Sequence, residues 1–95
     1  MGRFTRIEDK EYLEWVRLQP CIICGWSKGK NSVHHVGDGI HSKRANDHLV
    51  VPLCDRTWNR ECPNCHHEEV HKHPKKHRAM LRLTAILMYN KYLQE

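Results

Sequence analysis

The chain has 95 residues, with 16 Lys+Arg against 11 Asp+Glu and 9 histidines, for a formal net charge of +5. That length accommodates one small domain and excludes two, and no apolar run approaches the ~20 residues that a membrane helix needs. The basic balance suits a polyanion such as DNA, although charge alone also fits many proteins that bind none.

Residues 1–6 are basic, with Arg3 and Arg6, and are expected to lie loosely on the surface or along a nucleic-acid backbone. Thr5 or Asp9 can cap a helix over about residues 8–18, with Glu8 and Asp9 opposing the helix dipole in its first turn. Tyr12, Trp15 and Val16, with Leu13 alongside, form the i, i+3, i+4 stripe of a helix laid on a core, and Pro20 ends it. Cys21-Ile22-Ile23-Cys24-Gly25 then reads as a zinc knuckle, in which Gly25 permits the tight turn after two chelating thiolates.

The loop from Trp26 carries Lys28 and Lys30 into a first strand, about 32–36, that holds the adjacent imidazoles His34 and His35. A polar connection follows through Gly37, Asp38, Gly39, His41, Lys43 and Arg44 to Asn46 and Asp47. It is longer than the two to five residues of a plain hairpin, which marks it as a substrate-facing loop, with a solvated surface loop as the alternative. The second strand spans about 48–53 and contains Leu49-Val50-Val51-Pro52-Leu53. Cys54 and a segment with Arg56 and Arg60 lead to a second C-x-x-C, Cys62-Pro63-Asn64-Cys65.

A polar helix over about 65–73 puts His67 and His71 four residues apart on one face, the spacing that one cation can bridge. Pro74 separates it from a last amphipathic helix, about 75–94, whose apolar residues Ala79, Met80, Leu83, Ile86, Leu87 and Tyr89 are expected to close the core against the first helix. A dimer interface is the alternative for that stripe, so a monomer is the first expectation. No repeat or low-complexity segment interrupts the chain.

Five cysteines in a secreted chain would suggest disulfides, but the count is odd and no charged-then-apolar leader is evident. Two C-x-x-C pairs point instead to zinc thiolates in a reducing compartment. The expected structural set is Cys21, Cys24, Cys62 and Cys65, with Cys54 or His66 as alternates for one of them, or a second zinc in the loop. An intracellular, cytoplasmic protein without membrane association is the corresponding expectation.

The order strand, loop, strand, helix, with His34-His35, Asn46-Asp47, Val51-Pro52-Leu53-Cys54, His67 and His71 in it, resembles the ββα-metal fold of the HNH endonucleases. The similarity covers roughly residues 12–73 and is greatest to small phage and prophage HNH proteins, including recombination-associated nucleases. It implies an α+β fold: a small zinc-stapled ββα-metal domain with flanking N- and C-terminal helices, in one nuclease domain over 1–95. It also implies a metal-dependent endonuclease hydrolysing DNA phosphodiester bonds. By position, His35 is the general base, His34, His67 and His71 hold the catalytic ion, and Asp47, with Asn46 beside it, orients the base.

The resemblance further implies a catalytic Mg²⁺ or Mn²⁺, with Ni²⁺, Co²⁺ or Zn²⁺ also compatible with imidazole ligands. Lys28, Lys30, Lys43, Arg44, Arg56 and Arg60 are candidate phosphate contacts that would position DNA without reading bases, so weak sequence preference is expected. The implied setting is phage recombination or DNA processing in an infected or lysogenic bacterial cell, with a phage or host recombination or packaging protein as a further partner. The competing readings are a zinc-stabilised DNA-binding module that does not cut, an interaction domain using its C-terminal helix, and a closed second structural zinc on the histidines.

Overall fold

A computed structural model of the chain describes residues 8–36 and 46–95. Arg3, Arg6, His41, Lys43 and Arg44, named above as candidates, lie outside the described residues, as does Thr5. The described elements are helix α1 (Lys10–Arg17), strands β1 (Ser32–His35) and β2 (Val50–Leu53), a π-helical segment (His66–His71) and helix α2 (Arg78–Gln94). The protein is a small α+β structure in which helices surround a two-stranded antiparallel sheet.

Asp9 caps α1, its Oδ1 accepting the Tyr12 backbone N–H at 3.1 Å. Such a bond satisfies one of the donors that a helix start leaves unpaired. Tyr12 and Val16, one helical turn apart, are the residues that α1 buries completely. Strand β2 is buried along its whole length, whereas β1 is half-buried. The register pairs Ser32 with Leu53, Val33 with Pro52, His34 with Val51 and His35 with Val50.

Alternation along these strands divides the core into two parts. Val50 packs with Tyr12, Val16, Val33, Tyr89 and Tyr92, while Val51 and Leu53 face Val36, Val70, Leu81, Ala85 and the cysteines. Helix α2 spans both, with Leu81 and Ala85 under the second part and Tyr89 and Tyr92 against Tyr12, their ring centroids 5.0 and 4.9 Å from it. The buried stripe of α2 is therefore rotated from the one expected. Met80, Leu83, Ile86 and Leu87 are exposed, because Leu81, Ala85, Met88 and Tyr92 occupy the side that meets the sheet and α1.

Asn31 joins the pieces before β1. It is fully buried, and its Nδ2 donates to the carbonyls of Gln19 (2.8 Å) and Trp26 (3.0 Å), tying the end of α1 to the knuckle turn. That turn closes through Cys21 N–H to Trp26 O and Gly25 N–H to Cys21 O, with Gly25 at φ +81°, a conformation costly for a residue with a Cβ.

Candidate metal centre and active site

Four cysteine sulfurs, those of Cys21, Cys24, Cys54 and Cys65, lie within 4.8 Å of one another. Cys21 and Cys24 come from the first knuckle, Cys54 follows β2, and Cys65 immediately precedes the π-helical segment. Cys24 Sγ is 3.6 Å from Cys54 Sγ, which also accepts the Cys65 N–H at 3.2 Å. Burial pushes the thiols of Cys24, Cys54 and Cys65 up, reinforced for Cys65 by the charge of Cys21. For Cys21 burial acts the same way but is outweighed by backbone hydrogen bonds at Cys24, Cys54 and Ile23, leaving it lowered. Four sulfurs packed this closely can ionise together only around a cation, and the donor set fits a metal ion such as zinc.

This group differs from the first-choice set at a single position, where Cys54, one of the two alternates, takes the place of Cys62. Cys62 is buried outside the group, its Sγ accepting the Asn64 N–H at 3.3 Å. Asn64 sits at φ +63° and turns the chain between the two cysteines of this C-x-x-C, so that Cys65 faces the thiol group while the strand end supplies Cys54.

A second group stands beside the first. One ring nitrogen each from His34, His66 and His71 falls within 4.8 Å of the others, with His34 Nδ1 3.2 Å from His66 Nε2. Here too one expected residue is exchanged, His66 standing where His67 was expected. The segment is wound as a π-helix, whose hydrogen bonds close five residues on instead of four. Its wider turn brings the His66 ring to 4.5 Å from His71, while His67 Nε2 engages Asp55 Oδ2 at 3.1 Å. Burial, and then the neighbouring His66, His71 and His35, lowers His34 to about 4. Burial also lowers His66, against the opposing pull of Asp55. Neutral imidazoles carry the lone pairs that a metal requires, so this donor set fits a transition ion.

Asp55 has no counterpart among the expected site residues. It is 5 % exposed, and its Oδ2 meets both His66 Nδ1 and His67 Nε2 at 3.1 Å while Oδ1 accepts the Thr57 N–H at 2.8 Å. Burial opposes its ionisation, yet the bonds from Thr57 and His66 and the charge of His67 hold it down to about 2. Its position right after a cysteine that leaves the sheet is the one signal in the sequence that could have drawn attention to it.

On the other face of β1, His35 Nε2 is 2.8 Å from Asp47 Oδ1. The pair is unequally exposed, with 29 % of the His35 side chain accessible and 3 % of Asp47. Asn46 shapes the turn instead of meeting His35: its Oδ1 accepts the His48 N–H at 2.8 Å and its carbonyl the Leu49 N–H. His48 is packed, stacking on Tyr89 at 4.0 Å and reaching Asp9 Oδ2 at 2.9 Å. His34, His35, His71 and Arg78 line one cleft of about 300 Å³.

The expected phosphate contacts are dispersed. Lys30 pairs with Glu14 at 3.3 Å, Lys28 lies 5.7 Å over the Trp26 ring, Arg56 Nε donates to the Cys62 carbonyl, and Arg60 lines a separate cleft with Trp26 and Lys28. Among the described residues, no helix is long and apolar enough to cross a membrane.

Fold and site together define a small α+β protein with a four-cysteine group able to hold a metal ion such as zinc. The chain belongs to the DUF968 family, described as a protein of unknown function, whose model matches residues 2–93. No curated protein and no solved structure matches the chain.

Proposed function

We propose that this protein is a metal-dependent DNA endonuclease of the HNH type, with a zinc on Cys21, Cys24, Cys54 and Cys65 and a catalytic ion on His34, His66 and His71. The observation that carries this reading is the placement of two functions on one strand. His34 joins the imidazole group on one face of β1, His35 meets Asp47 on the other, and both line the same cleft with His71 and Arg78. The succession β1, β2, π-helical segment supports it as well, since it is the order of the ββα arrangement.

His34, His66 and His71 would hold a divalent cation, which when bound would supply positive charge for the phosphate. Asp47 accepts the Nε2–H of His35, which leaves the lone pair of the neutral ring on Nδ1. His35 takes a proton from water there as the water oxygen bonds to phosphorus and the bond to the 3′-oxygen breaks. Arg78 also lines the cleft, where a guanidinium would suit a phosphate. Three imidazoles favour a transition ion such as Mn²⁺, Co²⁺, Ni²⁺ or Zn²⁺ over Mg²⁺, which prefers oxygen donors.

The test is plasmid cleavage by wild type and His35→Ala side by side, with Mg²⁺, Mn²⁺ or Ni²⁺ and with EDTA. Metal-dependent nicking or linearisation that the variant lacks is the expected result. Cleavage by neither, with both retarding DNA on a gel, would instead favour a zinc-stabilised DNA-binding module.

A further inference from the structure

We infer that Asp55 is a positioning residue that fixes the tautomer of His66 and so turns its Nε2 lone pair toward His34 and His71. The inference rests on reading those three imidazoles as a metal site. Asp55 Oδ2 lies 3.1 Å and the Ser32 hydroxyl 3.3 Å from His66 Nδ1, and His66 Nε2 lies 3.2 Å from His34 Nδ1. The hydroxyl can donate or accept, so it leaves the choice of tautomer to the carboxylate. The two ring nitrogens of a neutral imidazole share one proton. A carboxylate only accepts, so it draws that proton to Nδ1 and leaves Nε2 free to coordinate. Carboxylate, histidine and ion would then stand in line, the arrangement that orients many metal-binding imidazoles.

The same oxygen decides the fate of His67. Its Nε2 also lies 3.1 Å from Asp55 Oδ2, so the carboxylate holds the proton on Nε2 of His67 and on Nδ1 of His66. One acidic side chain thereby favours opposite tautomers in neighbouring histidines and aims the Nε2 lone pair of the first at His34 and His71.

Asp55 is held firmly enough for this. Thr57 N–H binds Oδ1, and the Asp55 carbonyl accepts the N–H groups of Trp58 (2.9 Å) and Asn59 (3.0 Å). Each partner also directly follows a cysteine of the thiol group, Asp55 after Cys54 and His66 after Cys65. His66 N–H donates to the Cys54 carbonyl at 3.1 Å, which locks the two cysteine-led segments together. The thiol group therefore sets the distance across which Asp55 reads His66.

Asp55→Asn separates this role from a purely structural one. Its remaining carbonyl oxygen can still accept from Thr57, but its amide donates to His66 Nδ1 and shifts the ring toward the Nε2–H tautomer. The experiment uses the full chain with zinc on its thiolates. Long-range ¹H–¹⁵N NMR before any second ion is added reads the His66 tautomer, and titration with Ni²⁺ or Co²⁺ reads affinity at the histidines, with His71→Ala as control.

The wild type is expected to show Nδ1–H at His66 and to bind a second ion that His71→Ala does not. Asp55→Asn should keep its zinc and melting temperature, show Nε2–H, and bind the second ion on the order of 10- to 100-fold more weakly. Equal affinity in wild type and Asp55→Asn would overturn the role of Asp55 alone, and failure of the wild type to take a second ion would overturn the metal reading beneath it. The tautomer in the wild type needs no variant, so Nε2–H there would overturn the inference even if Asp55→Asn did not fold.

Discussion

His35 Nε2 lies 2.8 Å from Asp47 Oδ1, and the other oxygen of Asp47 accepts the backbone N–H of Asp9 at 2.9 Å. Asp9 is the cap of α1, so the carboxylate that meets His35 is itself anchored to the start of a helix.

The isosteric change Asp47→Asn is expected to keep this anchor while presenting an amide to His35 Nε2. The ring proton then moves to Nδ1 and the base is lost. Single-turnover cleavage should fall by about 10²- to 10⁴-fold, with a far-UV spectrum unchanged from wild type. Near-normal cleavage would separate Asp47 from the chemistry.

The cysteine exchange is tested by metal content. Cys54→Ser is expected to lose the zinc and unfold, since structural zinc contributes on the order of 10 kcal/mol in small domains. Cys62→Ser should keep one zinc, because its sulfur lies outside the group. Mass spectrometry under native conditions and thermal melting read both, and zinc loss in Cys62→Ser with retention in Cys54→Ser would reverse the assignment.

Tyr12 joins the two helices and has no exposed surface, yet among the described residues its hydroxyl has no hydrogen-bond partner. Tyr12→Phe should therefore leave stability unchanged or raise it by about 1 kcal/mol. Tyr12→Ala should lower it by about 3–5 kcal/mol through lost packing against Tyr89 and Tyr92. Urea denaturation distinguishes the two, and a marked loss in Tyr12→Phe would mean that the hydroxyl is satisfied.

Acid should weaken the protein through His34, whose folded value of about 4 lies below the 6.5 of a free imidazole. The unfolded chain takes up a proton that the folded chain refuses, so this group's effect on stability is absent above 6.5 and becomes increasingly unfavourable as the pH falls toward 4. With zinc on the thiolates and no ion on the histidines, the urea midpoint of the wild type should drop more between pH 7 and 5.5 than that of His34→Gln. Equal drops would place the acid sensitivity elsewhere.

What depends on near neighbours is readable in the sequence itself. The Asp9 cap, the Tyr12 and Val16 stripe, the Cys21 and Cys24 turn and the adjacent His34 and His35 all follow from spacing, because helix period, strand alternation and chelate turns are local. The final members of each ligand group are not local. C-x-x-C spacing states that Cys62 and Cys65 can chelate together, but the Asn64 turn and the end of β2 determine that Cys54 and Cys65 do the converging. Likewise i, i+4 spacing favours His67, whereas π-helical winding and the buried Asp55 carboxylate present His66 to His34, 32 positions away in the chain. A ligand group closes in three dimensions across such separations, so the tertiary structure alone selects which of several eligible cysteines and histidines meet.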